Sequence, residues 1–165
     1  MARYGVRLEN APNLSPQDYQ ELSSQAEKNG FEAVWVPEGG GRDSLTSLAT
    51  IAMKTDTVKL GTGILPIFAR TPTNTAMSAA GMAAVSDGRF LLGLGVGHAP
   101  TVESRDGIPF KQPMTRMRET IQIIKALLSG EEVNFTGKQF KITGASMGAA
   151  TPKTKVPIYI AALGP

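Results

Sequence analysis

The chain has 165 residues, 41% hydrophobic and 19% charged, an ordinary globular composition that excludes a disordered or low-complexity protein. Lys and Arg number 17 against 14 Asp and Glu, and the basic residues are scattered, so no stripe tracks the phosphates of a nucleic acid. With no cysteine, disulfides, thiolate ligands and a cysteine nucleophile are excluded, and a single histidine argues against a zinc or triad site.

The first residues carry Arg3, Arg7 and Glu9 where a leader would be apolar, and no run approaches the ~20 apolar residues of a membrane span. The expectation is a soluble cytoplasmic protein whose chemistry is carried by a bound cofactor. In chain order, "ARYGVRLE" reads as a strand. "LSPQDYQELSSQAEKNG" reads as a helix, with Ser15 as cap, Pro16 in its first turn and Gly30 at its stop. "FEAVWVPE" is a second strand, followed by a helix capped by Asp43 with Leu45, Leu48, Ala49, Ala52 and Met53 on its apolar face. "VKLGTGILP" is a third, buried strand, and "RTPTNTAMSAAGMAAVSDG" a helix capped by Thr71, opened by Pro72 and closed by Gly88.

"RFLLGLGVG" is the fourth strand. "APTVESRDGIPF" reads as an irregular loop, and "QPMTRMRETIQIIKALLSG" as a helix with Met114, Met117, Ile121, Ile124 and Leu128 on its core face. Met114 and Met117 are core contacts in this reading, and Arg116 and Arg118 lie on the helix surface, solvated or salt-bridged. Residues 131–142 form a small hairpin around Thr136-Gly137, and "KVPIYIAALGP" is a fifth buried strand.

The glycines of the fourth strand do not make a dinucleotide loop. From Gly93 and Gly95 the third glycine position falls on His98, and in the next frame on Pro100, with a dozen loop-like residues before a helix. Repeated strand-helix units with buried strands point instead to a (β/α)8 barrel, read over residues 1–165 as one portion of a single domain. In such a barrel the site gathers at the strand C-terminal ends, which selects Glu9, Asn10, Glu38, Gly63 to Pro66, Gly97 and His98. Glycine inside a strand marks a bulge or a close approach, so Gly63 and Gly97 read as positions facing a flat ring or as packing bends. Glu38 either serves the site, caps the following helix or pairs with Arg42.

The segments "FEAVWVPE", "VKLGTGILPIFARTP", "SDGRFLLGLGVG", "PMTRMRETIQIIKALLSGEEVNFTGKQFKI" and "VPIYIAALGP", in that order, resemble the luciferase-like monooxygenase family, especially its coenzyme F420 branch. The resemblance implies a TIM-type barrel, coenzyme F420 with FMN as the alternative, and hydride transfer to or from a small organic substrate. It places the cofactor ring against the strand-three bulge at Gly63 and Ile64; the end of strand four adds Gly97 and His98 to the cofactor side, and Glu38 and His98, the titratable groups at these strand ends, are the catalytic candidates for proton transfer. It also implies a cis peptide at Gly63-Ile64, a geometry costing ~3 kcal/mol.

Two departures stand out. "PEGGGRD" lacks the histidine that many relatives carry after the acidic residue of strand two. A complete barrel needs roughly 250 residues, and here the fifth strand ends the sequence, so strands one and five are expected as open edges. A homo-oligomer or a complementing C-terminal barrel fragment would cover them. The alternative function is a non-catalytic flavin-binding or assembly protein without turnover.

Overall fold

The computed structural model describes residues 4–9, 11, 13–39 and 41–162. β1 (Gly5–Arg7), β2 (Ala33–Val36), β3 (Lys59–Thr62), β4 (Leu65–Pro66), β5 (Phe90–Gly95) and β8 (Ile158–Ile160) form one parallel sheet. Between them run α1 (Pro16–Lys28), α2 (Ser44–Ala52), α3 (Pro72–Val85), α4 (Ala99–Arg105) and α5 (Pro113–Leu128). The antiparallel hairpin β6 (Val133–Thr136) and β7 (Lys141–Ala145) precedes a short 3₁₀ turn at Gly148–Ala150.

Local chemistry starts the helices as the sequence predicts. Ser15 and Asp18 form a capping box at α1, with the Asp18 carboxylate taking the Ser15 N–H at 2.7 Å. Asp43 and Thr71 accept N–H bonds from Thr46 and Asn74 at the starts of α2 and α3. The turn from α3 into β5 is stapled by Arg89, whose guanidinium donates to the carbonyls of Ser86, Val58 and Ala52 and to the Thr55 hydroxyl. One cation thus satisfies carbonyls from three segments at the N-terminal ends of the strands, where a barrel keeps its stabilising contacts.

The helices cover one face of the sheet, where Val34, Val36, Leu60, Leu92 and Leu94 are fully buried against Leu48, Ile51, Ala76, Ala79 and Ile124. The opposite, inner face sets the Trp35 ring among glycines of the neighbouring strands. A Cβ at Gly61 would sit inside the Trp35 ring, and a Cβ at Gly93 would collide with the Thr62 carbonyl oxygen. Trp35 meets Tyr159 of β8 edge-on, with ring centroids 5.4 Å apart.

Strand three is bulged. Gly61 pairs with Leu91 and Leu65 with Leu94, so four residues of β3–β4 oppose three of β5. The Thr62 hydroxyl bridges the break. It donates to the Gly93 carbonyl at 2.9 Å and accepts the Gly93 N–H at 2.7 Å, taking the place of the lost ladder bonds.

Several expectations need correction. Residues 99–105 are the helix α4, because His98 leaves the strand extended and Pro100 suits a first helical turn. Met53 and Met114 are exposed, and the buried face of α5 is Met117, Glu119, Thr120, Ile123, Ile124 and Leu127. That face is rotated because two polar residues, Glu119 and Thr120, lie on it. Glu119 accepts N–H bonds from Lys138, Gln139 and Phe140 at 2.7, 2.9 and 3.1 Å, which docks the tip of the hairpin onto α5. Arg116 is half-buried rather than solvated, for reasons of the same docking described below.

β1 and β8 each pair on one side only among the described residues. Tyr4, Tyr159 and Ile160, beside those edges, are 67%, 47% and 55% exposed. No helix among the described residues is long and apolar enough to cross a membrane.

Replacing Thr62 by Val keeps the shape and removes both bonds to Gly93. We expect a loss of about 1–3 kcal/mol for each buried group left unsatisfied, read from urea unfolding, with Thr62→Ser recovering most of it. Burial pushes the Glu119 carboxyl up, but the backbone N–H groups of Gln139, Lys138 and Phe140 and the Lys138 charge hold it below its ordinary 4.5. A depressed folded value stabilises above the unfolded pKa and is lost as pH falls through the folded one. The stability gap between wild type and Glu119→Gln should therefore be full at neutral pH and close on acidification below about pH 4; a gap that widened in acid would contradict this assignment.

Candidate active site

The C-terminal ends of the strands converge on one mouth. Gly63 donates its N–H to the Val36 carbonyl at 2.7 Å, and Glu38 donates its own to the Ile64 carbonyl at 3.4 Å, joining the exits of strands two and three. The bulge turns Gly63 and Ile64 toward the inner face. The place of a Gly63 Cβ is taken by Pro37, at 2.7 Å from its Cα, and the Ile64 side chain lies 3.1–3.2 Å from where a Gly95 Cβ would be. Gly97 has φ +76°, a conformation that favours glycine, and packs near Val102 of α4 and Pro66 of β4. The result is an apolar wall of Ile64, Pro66, Gly95 and Gly97.

The acidic side of the mouth is a clamp. Glu38 accepts the Ser44 N–H at 2.8 Å with one oxygen, at the start of α2, and with the other accepts from Arg70 Nη2 at 3.0 Å and Nε at 3.3 Å. Arg70 also pairs with Asp43, the cap of α2. The Glu38 and Arg70 side chains are 13% and 19% exposed, so this pair is shielded from solvent far more than a surface pair. Burial works against the Arg70 charge, and Glu38 and Asp43 together more than restore it, raising its pKa. Burial likewise raises Asp43, but the Thr46 N–H and Arg70 leave its carboxyl below the ordinary value.

The structure therefore brings Glu38, Gly63 and Ile64 into direct contact, with Gly97 reached through Pro66. His98 stands apart at the exit of strand four, exposed and without a capping bond from its side chain. Glu9 is paired with Arg7 at 2.6 Å and its carbonyl accepts the Tyr19 hydroxyl, while Asn10 lies outside the described residues. All peptide bonds among the described residues are trans, Gly63-Ile64 included. The extra residue of the bulge supplies the inward turn within ordinary trans geometry, so the cost of a cis bond is avoided.

Sequence reasoning missed Arg70, although it stands one residue before the Thr71-Pro72 helix start, where a strand-exit loop must lie. Of the alternatives read for Glu38, the cap on the following helix is present in its bond from the Ser44 N–H, whereas Arg42 donates to the Leu14 carbonyl at 2.6 Å and lies 5.1 Å from the Tyr19 ring centre.

An open run of parallel βα units with its polar groups and apolar wall at the strand ends is one portion of a (β/α)8 barrel. The profile of the luciferase-like monooxygenase family matches residues 2–165, and the chain belongs to that family. It is 39% identical over 155 residues to the 5,10-methylenetetrahydromethanopterin reductase of Methanolobus tindarius, covering 93% of this chain and 46% of that protein. It is 34% identical to the F420-dependent glucose-6-phosphate dehydrogenase of Amycolatopsis mediterranei, covering 100% of this chain and 53% of that one. The solved coenzyme F420-dependent tetrahydromethanopterin reductase of Methanopyrus kandleri superposes with a TM-score of 0.82 at 29% identity, over 98% of this chain and 50% of that structure. The chain thus spans about half the length of the relatives it matches.

If the clamp holds the two loops, Glu38→Gln and Arg70→Met should each destabilise the fold and be strongly non-additive. A double-mutant cycle should return a coupling of about 1–3 kcal/mol, between the values of exposed and buried pairs. Additive effects would show that the pair does not hold the loops together.

Proposed function

We propose that this chain forms the strand-one-to-five side of a deazaflavin-dependent oxidoreductase acting on a small organic substrate in the cytoplasm, with coenzyme F420 as cofactor and FMN as the alternative. The observation that carries the reading is the bulged exit of strand three, which brings Ile64 beside Gly95, with Gly97 next to Pro66, as an apolar wall. Such a surface fits the face of a flat aromatic ring, and two of the named relatives, the Amycolatopsis mediterranei dehydrogenase and the Methanopyrus kandleri reductase, are F420-dependent by name. Hydride chemistry is supplied by the deazaflavin ring when bound.

The protein's part is binding and orientation. Ile64 and Gly97 would hold the ring face, and Pro37 and Thr62 would keep the bulge from yielding beneath it. Both Glu38 oxygens are engaged by Arg70 and Ser44, so Glu38 is a positioning residue in this reading. His98, solvent-facing at the exit of strand four, is the group left to give or take a proton at its imidazole. A complementing half-barrel, pairing with β1 and β8, would supply the rest of the pocket. In (β/α)8 barrels the phosphate site is frequently built after strands seven and eight.

The test is fluorescence titration with coenzyme F420, of the chain alone and of the chain mixed with the C-terminal half of the Methanolobus tindarius reductase. We expect weak binding alone, at least tenfold tighter binding in the mixture, and loss of that gain in Ile64→Asp. No binding in either arm would overturn the reading. Tight binding without substrate-dependent loss of the 420 nm absorbance would favour the non-catalytic alternative.

A further inference from the structure

Arg116 holds a charge that no carboxylate among the described residues neutralises. Its guanidinium lies 4.7 Å from the ring centre of Phe68 and 4.8 Å from that of Phe140, and Nε donates to the Ile67 carbonyl at 3.2 Å. Phe68 is buried and is backed by Phe110, stacked at 4.8 Å and 28°. Two ring faces and one carbonyl thus fix the plane of the guanidinium and its inner edge. Burial pushes its pKa below the ordinary arginine value.

The half-buried guanidinium groups of Arg70 and Arg89 have their charge or their donors met. Arg70 has two carboxylates, and Arg89 has three carbonyls and a hydroxyl. No carboxylate pairs with Arg116 among the described residues. The acid placed to do so, Glu119 three residues on, spends its oxygens on the backbone N–H groups of Lys138, Gln139 and Phe140. Among the described residues the buried side-chain polar atoms left without a partner are Ser23 Oγ and Thr120 Oγ1, so the Nη atoms of half-buried Arg116, which carry no bond there, are open to solvent.

We propose that the outer edge of Arg116 is a binding site for a small oxyanion, a carboxylate or a phosphate. A planar guanidinium whose rotamer is already fixed by stacking presents two parallel N–H donors, the fork that matches an oxyanion in two-point contact. Ordering the side chain, which normally opposes binding by a surface arginine, has been done by Phe68 and Phe140. The site lies beside the exit of strand three, through Ile67 and Phe68, and is independent of the cofactor reading above.

The experiment is ¹⁵N NMR of the full chain, following the Arg116 Nε–Hε signal and the Gln139 and Phe140 amides. Titrants are inorganic phosphate, methyl phosphate and acetate, with chloride at matched ionic strength as control. We expect saturable shifts with one of the oxyanions, absent with chloride, weakened about tenfold in Arg116→Lys and lost in Arg116→Met. Tighter binding of methyl phosphate than of phosphate would identify a phosphate ester as the ligand, the reverse order free phosphate, and a preference for acetate a carboxylate. Shifts that are linear, equal to those with chloride, or unchanged in Arg116→Lys would overturn the proposal. The wild-type titration decides even if Arg116→Met fails to fold.

Discussion

A single hydroxyl determines how strand three meets strand four. Where β3 gains one residue over β5, the backbone ladder breaks, and Thr62 Oγ1 closes the gap by serving as donor and acceptor to the same residue, Gly93. The exchange works only because Gly93 has no side chain. Its Cβ would collide with the Thr62 carbonyl oxygen, so the bulge needs a threonine on one strand and a glycine on the next. Everything at the mouth follows from that pairing, because the extra residue turns Gly63 and Ile64 inward and sets β4 in register with the end of β5.

Below the mouth the inner face is filled by one residue. Trp35 occupies the volume that side chains at Gly61 and Gly5 would have taken, with its indole Nε1 2.9 Å from the Gly5 Cβ position. A barrel interior is ordinarily packed by branched side chains in layers. Here one aromatic ring on β2 does that work for its neighbours on both sides, and Tyr159 meets it from β8. This concentrates packing on Trp35, and it explains why the neighbouring strands are glycine-rich without any ligand being needed at Gly5 or Gly61.

How much of this could be read from the residues depends on the range of the interaction. Helix starts were legible because a cap and its N–H partner lie three residues apart, as Ser15 with Asp18, Asp43 with Thr46 and Thr71 with Asn74. The parallel strands and the hairpin were legible from apolar runs bounded by turn residues. The bulge was not, because its signature is a register difference between β3 and β5. The partner of Glu38 was not, since Arg70 is 32 residues away and nearer cations compete in any reading of spacing. The face of α5 was misjudged because Glu119 looks like a surface acid until the N–H groups of residues 138–140 are brought to it.

The same point separates Arg89, Arg70 and Arg116, which are identical as letters and differ by what the fold brings to them. At the N-terminal ends of the strands, Arg89 gathers neutral carbonyls whose dipoles spread its charge, a solution suited to a place with no chemistry to do. At the mouth, Arg70 is held by two carboxylates, which ties together the loops after strands two and three. Beside the exit of strand three, Arg116 is held by ring faces, which orient a cation without neutralising it. A guanidinium left charged, oriented and open at one edge is the arrangement in which an external anion gains most and the protein loses least, because the ordering has already been done within the fold.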